Sequence, residues 1–501
     1  DKAMLHEKDP KDPKGLYTFK QGLPAALKAE PWDVVTIQQA SIKSHDYATY
    51  QPHAGWLRDT ILKHAPSAAL LIHQTWAYRV DDPRFTKPND KPGEPKTQEA
   101  MYRGLTASYD RLAKELGATI IPVGDAFYRA DTDAEWGFKP PAPFDSKLLK
   151  HPDLPEQKHS LHIGWVWRKS KDGQKDVLSM DGHHANLAGE YLGACVWYEM
   201  LFSESAVGSK FIPKGLDSKY AHFLQQAAHE AVTARIKQQQ DAAARVRQMD
   251  GLVAFWDFQE AAGNERVAGD HRLREMKGPV QRVEGGVFGR HAAKIERGQW
   301  LMMDRAQLGA LNIHGKDAAV TVAAWVYRED RSTWQAIAGV WDETRKKRQY
   351  CLFLNAPRGT RADEMKRYPL ANRIHGHVSA IGGPTPGDDF CITYSSGKTE
   401  IPLRSWQLLV MRYDSKESRV YVNGKLDALE QYNPFPYADG LFDGGEDGSP
   451  FTVGAVHRGG SWGNFFGGRL GGLAVFNRAL SDEEIASLPF AGFNAADATG
   501  K

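Results

Sequence analysis

Cysteine is scarce. Cys195, Cys351 and Cys391 are the whole complement, too few for a disulfide-stapled scaffold. Cys351 and Cys391 fall in the same half of the chain, so a single pairing stays open. No C-x-x-C and no Cys/His spacing of the zinc-binding kind occurs. An excess of either charge is also missing: 64 Lys and Arg face 62 Asp and Glu, a net charge of +2. So even a balance gives no footing for nucleic acid or an anionic membrane as partner. No run reaches the roughly 18 apolar residues of a membrane span. No signal peptide opens the chain, and no initiator Met. The polar opening DKAMLHEKDPKDPKG reads as the middle of something: either a leader has been removed or part of a longer protein precedes Asp1. Fixed-period repeats and EF-hand loops are absent too.

What remains is ordinary globular composition. The chain of 501 residues, 41% hydrophobic and 25% charged, exceeds one domain and can bury a core in each of two or three. Its 14 Trp are numerous. Such residues are common in sugar-binding surfaces and more common still in cores.

The pattern changes partway along. WDVVTIQQ from Trp32, AALLIHQTW from Ala68 and ATIIPVG from Ala118 are short apolar, β-branched runs that predict buried strands. Between them lie helical patterns over 53–64 and 97–116, the second closed by Gly117 as a C-cap. Strands alternating with helices predict a parallel sheet covered by helices. Residues 125–180 read as a long irregular insertion, followed by a helix from Asn186 to Phe202. Residues 217–249, ending in KQQQDAAARVRQ, read as a polar helical spacer, amphipathic only at its start. From Gly251 short alternating runs separated by turns predict an antiparallel sandwich, with Asn423-Gly424 as a hairpin turn. The expected organisation is an α/β domain over 1–210, a helical linker over 211–250, a β-sandwich over 251–490 and a tail over 491–501.

The string SMDGHHANLAGEYLGACVWYEML from Ser179 carries D-x-x-H as Asp181 and His184. At a loop-to-helix start this spacing lets the carboxylate accept a hydrogen bond from the imidazole. That bond fixes the tautomer and stabilises the imidazolium formed when the His takes a proton. The plainer alternative is that Asp181 caps the helix and His184 is a surface residue. His73 and Trp76 at the end of the second strand, with Ser41, His183 and Asn186, are candidates to line a pocket. Ser44-His45-Asp46 has triad letters, but triad members meet by folding and not by adjacency. His159, His162 and the Trp165–Trp167 segment are a substrate wall or a packed aromatic loop. Gly459-Gly460-Ser461-Trp462-Gly463 fits G-x-S-x-G, yet no helix follows it, so it lacks the strand-to-helix elbow on which that motif depends.

The strings WDVVTIQQAS, HQTWAY and IPVGDAF, with the D-x-x-H after them, resemble the SGNH (GDSL-like) hydrolases over about residues 17–202. The resemblance implies a flavodoxin-like three-layer α/β fold with a parallel sheet. It also implies ester hydrolysis through a serine, with Asp181 and His184 as its catalytic partners. In that family the serine follows the first strand in a G-x-S-like motif, and none precedes Trp32. The nucleophile is therefore expected upstream of Asp1, or the domain is a dead esterase. The family's third block supplies an oxyanion-hole amide at a strand end. Here that end reads Gln38-Gln39-Ala40-Ser41, similar to the Gln-Gly-Glu-Ser of sialic-acid O-acetylesterases. Gln38 or Gln39 is the expected donor, unless both merely bond within the sheet, and Ser41 is an unconventional candidate nucleophile.

GLVAFWDFQE, RVYVNGKLDA and GRLGGLAVFNRALSDEEIASL resemble laminin-G-like and concanavalin A-like jelly rolls over about residues 251–490. The resemblance implies an all-β antiparallel jelly-roll sandwich that binds sugar or protein, sometimes with Ca²⁺, or that packs beside an enzyme domain. The acidic loop GLFDGGEDG from Gly440 is the candidate for Ca²⁺, or a solvated turn; no other cofactor is expected. The combined expectation is a secreted or periplasmic serine esterase acting on an acylated, for instance acetylated, carbohydrate. The alternative is a non-catalytic carbohydrate-binding or adhesion protein with a degenerate esterase domain.

Overall fold

The structure is a computed structural model that describes residues 22–66, 68–88, 91–142, 144–145, 148–170, 172–263, 265–332, 334–355 and 370–490. Residues 1–21, with the polar opening, and the tail expected over 491–501 lie outside the described residues. The chain divides into two compact units between Arg235 and Ile236.

The first unit is built on three parallel strands, β1 (Val34–Ile37), β2 (Ala69–His73) and β3 (Thr119–Ile121), in that order across the sheet. Val34 pairs with Ala69 and Ile37 with Ile72, while Leu71 pairs with Thr119 and His73 with Ile121. Helix α1 (Leu23–Lys28) and helix α2 (His53–His64) bury Leu23, Leu27 and Ile61 against Val35, Ile37 and Leu70. Helix α3 (Gln98–Leu116) starts where the Thr97 side chain accepts from the Ala100 N–H and ends at Gly117, which adopts φ 61°. It packs Met101, Leu105, Tyr109 and Leu112 around Ile72 and Ile120. Among the described residues β1 pairs on one side only, and all four of its residues are half-buried.

The segment expected to be irregular is more ordered than its composition suggests. Val123 and Gly124, expected to end the third strand, open helix α4 (Val123–Asp131), whose Val123, Ala126, Phe127 and Ala130 are buried. Strands β4 (His162–Lys169) and β5 (Asp176–Ala185) then form an antiparallel hairpin with Gly164 opposite Asp181. Asp181 and His184 therefore lie on a strand, not at a loop-to-helix start. Helix α5 (Leu187–Phe202) follows, and its cap is Asn186, whose side chain accepts from the Ala188 and Gly189 N–H groups.

Helix α6 (Ser218–Arg247) spans the division between units. In the first unit it buries Tyr220, Leu224, Ala228 and Val232; in the second, Ala242, Ala243 and Val246 join a sandwich cluster. The spacer expected to be amphipathic only at its start thus buries a face at both ends. Small alanine side chains allow close packing while adding little to a hydrophobic pattern.

The second unit is an antiparallel sandwich. One sheet runs Lys425–Leu426, Glu417–Val422, Trp406–Tyr413, Val320–Arg328, Gly468–Phe476, His291–Ile295, Gln281–Glu284. The other runs Tyr394–Ser396, Ile374–Val378, Lys347–Leu354, Gln335–Asp342, Phe451–Val453, Trp300–Met303, His271–Met276, Arg266–Ala268. Side chains alternate as a pleated strand requires. Val320, Val322, Ala324 and Val326 enter the main core, whereas Ala323 and Trp325 join the cluster that holds the end of α6. Asn423 and Gly424 both have positive φ, at 53° and 78°, which the two-residue turn between Val422 and Lys425 requires. The closing helix, Asp482–Ser487, has a reciprocal capping box between Ser481 and Glu484. Ser461 lies on an exposed hairpin strand with no elbow. Cys351 and Cys391 are buried free thiols.

One buried ion group stabilises the first unit. Arg235 reaches Asp125 through Nε at 2.8 Å and Asp110 through Nη1 at 2.6 Å. Two carboxylates so placed tolerate burial because the guanidinium offsets both. Arg235→Leu should therefore cost about 3–5 kcal/mol in urea unfolding, with part recovered by adding Asp110→Asn. A loss below about 1 kcal/mol would show that water already satisfies the carboxylates.

Candidate functional site

The loop after β2 fixes the place of the D-x-x-H strand. Gln74 extends the sheet by donating its N–H to the Ile121 carbonyl at 3.1 Å. Trp76 Nε1 donates to the His183 carbonyl at 3.0 Å, and the Arg79 N–H to the Gly182 carbonyl at 2.7 Å. Gly182 must be small, since a Cβ there would meet Asp82 Oδ2 at 2.5 Å. Gly164 has φ 69°, and a Cβ would strike the Arg79 guanidinium at 2.1 Å. That guanidinium is buried, bonded to Asp81, Gln157 and Ser160. These bonds tie β5 to the carboxyl end of the parallel sheet, where open α/β sheets place their ligands.

Asp181 is the anchor. Its side chain is 2% exposed, against 67% for His184. His184 Nδ1 lies 3.0 Å from both carboxylate oxygens, and the His184 N–H donates to Oδ1 at 3.1 Å. Arg168 donates to Oδ2 from β4, and His183 Nδ1 lies 3.4 Å from Oδ1. Burial alone would raise this carboxyl. The hydrogen bonds from His184 and Arg168 and the neighbouring His183 outweigh it and hold the group well below the usual carboxylate range. A fixed anion facing an exposed imidazole keeps the proton on Nδ1 and leaves the other nitrogen basic. Because Asn186 caps α5, Asp181 is free of the capping role.

Around this pair the other candidates separate. His183 lies with its ring 4.2 Å from that of His184 and 5.2 Å from that of Tyr78. Ser41 begins a 3₁₀ turn after β1, with Oγ 3.3 Å from the Tyr78 hydroxyl, so Tyr78 stands between Ser41 and the histidines. Trp76 stacks on Phe127 at 4.4 Å and serves the site through its bond to the His183 carbonyl. His73 accepts from Trp197 Nε1 at 3.1 Å, and burial pushes it down to about 4. Gln38 is exposed just past β1, with no side-chain hydrogen bond among the described residues. Two candidates need correction. Gln39 has its amide committed, donating to Thr49 O and Oγ1 and accepting from the Ala40 N–H. Asn186 accepts two N–H groups at the α5 cap and donates to the Ser160 and His162 carbonyls, which uses its full capacity. Sequence reasoning missed Tyr78, Arg79 and Arg168. No spacing signal joins them to D-x-x-H, because loop and hairpin geometry bring them there.

The acidic loop of the sandwich does not fit Ca²⁺. Arg305 donates to the Gly445 carbonyl and Arg345 to those of Asp447 and Gly448, while Asp443 faces Arg305 and His314. Two guanidiniums on the carbonyls a hard cation would need oppose it.

Residues 303–486 match the family described as the concanavalin A-like lectin/glucanases superfamily. This segment is a concanavalin A-like, laminin G-like jelly roll. No curated protein matches the chain. Among solved structures it is similar to a DUF4886 family protein from Bacteroides uniformis, at 24% identity over 43% of this chain and 68% of that one, TM-score 0.32. A second is domain 4 of AbnA, a GH43 extracellular arabinanase from Geobacillus stearothermophilus in complex with arabinotriose, at 16% identity over 48% and 98%, TM-score 0.31. A third is the CBM40 of the Ruminococcus gnavus IT-sialidase bound to α2,3-sialyllactose, at 13% identity over 40% and 96%, TM-score 0.27. No described helix is long and apolar enough to cross a membrane.

Behind the site, His162 and Asp131 are buried with Nδ1 and Oδ2 3.9 Å apart. Burial pushes Asp131 up to about 7 from an ordinary value of 3.8, against a bond from Gln98 that lowers it. A raised folded-state value means stability that is full below the ordinary value and is lost as pH rises through about 7. Asp131→Asn should remove that loss. Relative to the variant, the native chain should weaken by a few kcal/mol between pH 5 and pH 8.5 in urea unfolding, to order of magnitude. Parallel stability curves for the two would contradict the assignment.

Proposed function

We propose that the first unit is the acid–base part of an SGNH-type serine esterase. On this reading Asp181 orients His184, and His184 takes the proton of a serine nucleophile and returns it to the leaving alcohol. The observation that carries the reading is the buried Asp181 carboxylate bonded at 3.0 Å to Nδ1 of an exposed imidazole, at the carboxyl end of a parallel sheet. The serine is assigned to a strand that would pair with the side of β1 left unpaired among the described residues, where its apolar residues are only half-buried. Its elbow would then stand beside Gln38, the uncommitted amide for the oxyanion. Ser41 serves the reading less well, because its hydroxyl is turned to Tyr78.

The jelly roll is assigned as an accessory module for the glycan that carries the ester, and an extracytoplasmic setting follows from such a substrate. Support comes from the lectin/glucanase family match and from Trp462, half-exposed and stacked on Trp300 at 4.8 Å, with His457 at 5.5 Å. An open ring held this way offers a platform to the apolar face of a sugar. The competing reading, a binding protein with an idle esterase unit, draws on the absence of a serine bonded to His184 among the described residues.

Ester turnover separates the two. The 501-residue chain should not hydrolyse p-nitrophenyl acetate above background. A protein carrying the serine strand should, and His184→Ala should then lower turnover on the order of a thousand-fold or more. If turnover persisted in that protein after His184→Ala, the base assignment would fail. Turnover by the 501-residue chain that survives Ser461→Ala but dies with Ser41→Ala would make Ser41 the nucleophile.

A further inference from the structure

The anchor carboxylate faces two imidazoles, and the esterase reading uses one. One ring nitrogen of His183, one of His184 and a carboxylate oxygen of Asp181 all lie within 4.8 Å of one another. The two nearest pairs are 3.4 Å and 3.0 Å. A tetrahedral ion with zinc-length bonds spaces its ligand atoms about 3.3 Å apart, so these three need move little to share one. The side chains of His183 and His184 are 39% and 67% exposed, which leaves the outer coordination positions to water.

The surroundings are those of a held donor set. Trp76 fixes the His183 carbonyl and Arg79 the Gly182 carbonyl, so the strand carrying both rings is fastened on either side of His183. The His184 N–H holds the carboxylate at Oδ1, as outer partners orient a ligand. Two imidazoles and one carboxylate suit a borderline transition ion. Ca²⁺ and Mg²⁺ call for more oxygen donors than one carboxylate provides.

We propose that Asp181, His183 and His184 bind one divalent transition-metal ion, Zn²⁺ being the favoured class, and that this ion and the base role of His184 exclude each other. The binding half stands apart from the esterase reading; the exclusion half rests on it. A neutral imidazole carries one proton. In the pair with Asp181 that proton is on Nδ1 and the lone pair on Nε2. An ion on Nδ1 needs a lone pair on that atom, so the Nδ1 proton is given up and the Nε2 pair takes it. The count of protons is unchanged, and Nε2 has no pair left with which to accept the proton of a serine. Arg168 works against the ion, because its charge shares the same carboxylate.

Binding is tested on the 501-residue chain with Co²⁺ as probe, read from its visible absorption bands and displaced by Zn²⁺. One ion per chain is expected. His183→Ala should weaken it about ten-fold or more, Asp181→Asn should abolish it, and Arg168→Ala should tighten it several-fold. Absence of the bands, or unchanged affinity in His183→Ala, overturns the site. Failure of ester turnover leaves this result untouched, since no catalysis enters the readout. Nitrogen-15 NMR of the His184 ring tests the exclusion: Zn²⁺ should move the proton to Nε2, and a ring that keeps its lone pair on Nε2 overturns it.

Discussion

The buried carboxylate of Asp181 is the constraint on which the site depends. A buried carboxylate needs hydrogen bonds or opposite charge, and the chain supplies several donors at once: the His184 imidazole, the His184 backbone and Arg168. Each donor also has its position set by that need. The imidazole turns its Nδ1 inward, the backbone of β5 offers the His184 N–H, and the hairpin brings Arg168 across from β4. Orientation of the histidine and burial of the acid are one arrangement seen from two sides.

The same economy explains the loop after β2. Its Trp76, Arg79 and Asp82 reach the backbone around Gly182, and only glycine leaves room for that approach. Arg79 is itself buried on Asp81, Gln157 and Ser160, so the loop is rigid because its charge is satisfied. That order reaches β5 through the Arg79 N–H bond to the Gly182 carbonyl and the Trp76 Nε1 bond to the His183 carbonyl.

Much of this was legible in the residues. The β-branched runs at Val34, Ala69 and Thr119 became the parallel strands, with ends trimmed by one to three residues. Alternation from Gly251 onward became the sandwich, down to the Asn423-Gly424 turn. The strand carrying the D-x-x-H was not legible. DVLSMDGHHA is rich in residues that fit strands poorly, and its conformation comes from register with β4. Helix α4 was hidden because Pro122 reads as a break while its apolar spacing, Val123, Ala126, Phe127 and Ala130, is short. Gln39 and Asn186 look like free amides on paper. Only the local fold reveals that their donors and acceptors are spent on Thr49, Ala40 and the start of α5.

The two units pose different questions. The jelly roll has its family match and a sealed core, and its ligand is a matter of surface rings such as Trp462. The α/β unit has an oriented imidazole, and its chemistry depends on the state of that ring. The most direct test is the proton between His184 Nδ1 and Asp181, observed by proton NMR of the metal-free protein. The account predicts a far-downfield resonance that disappears in Asp181→Asn and persists in His183→Ala. A spectrum without it, or one lost with His183 and kept without the Asp181 carboxylate, would contradict the Asp181–His184 pair as the centre of the site.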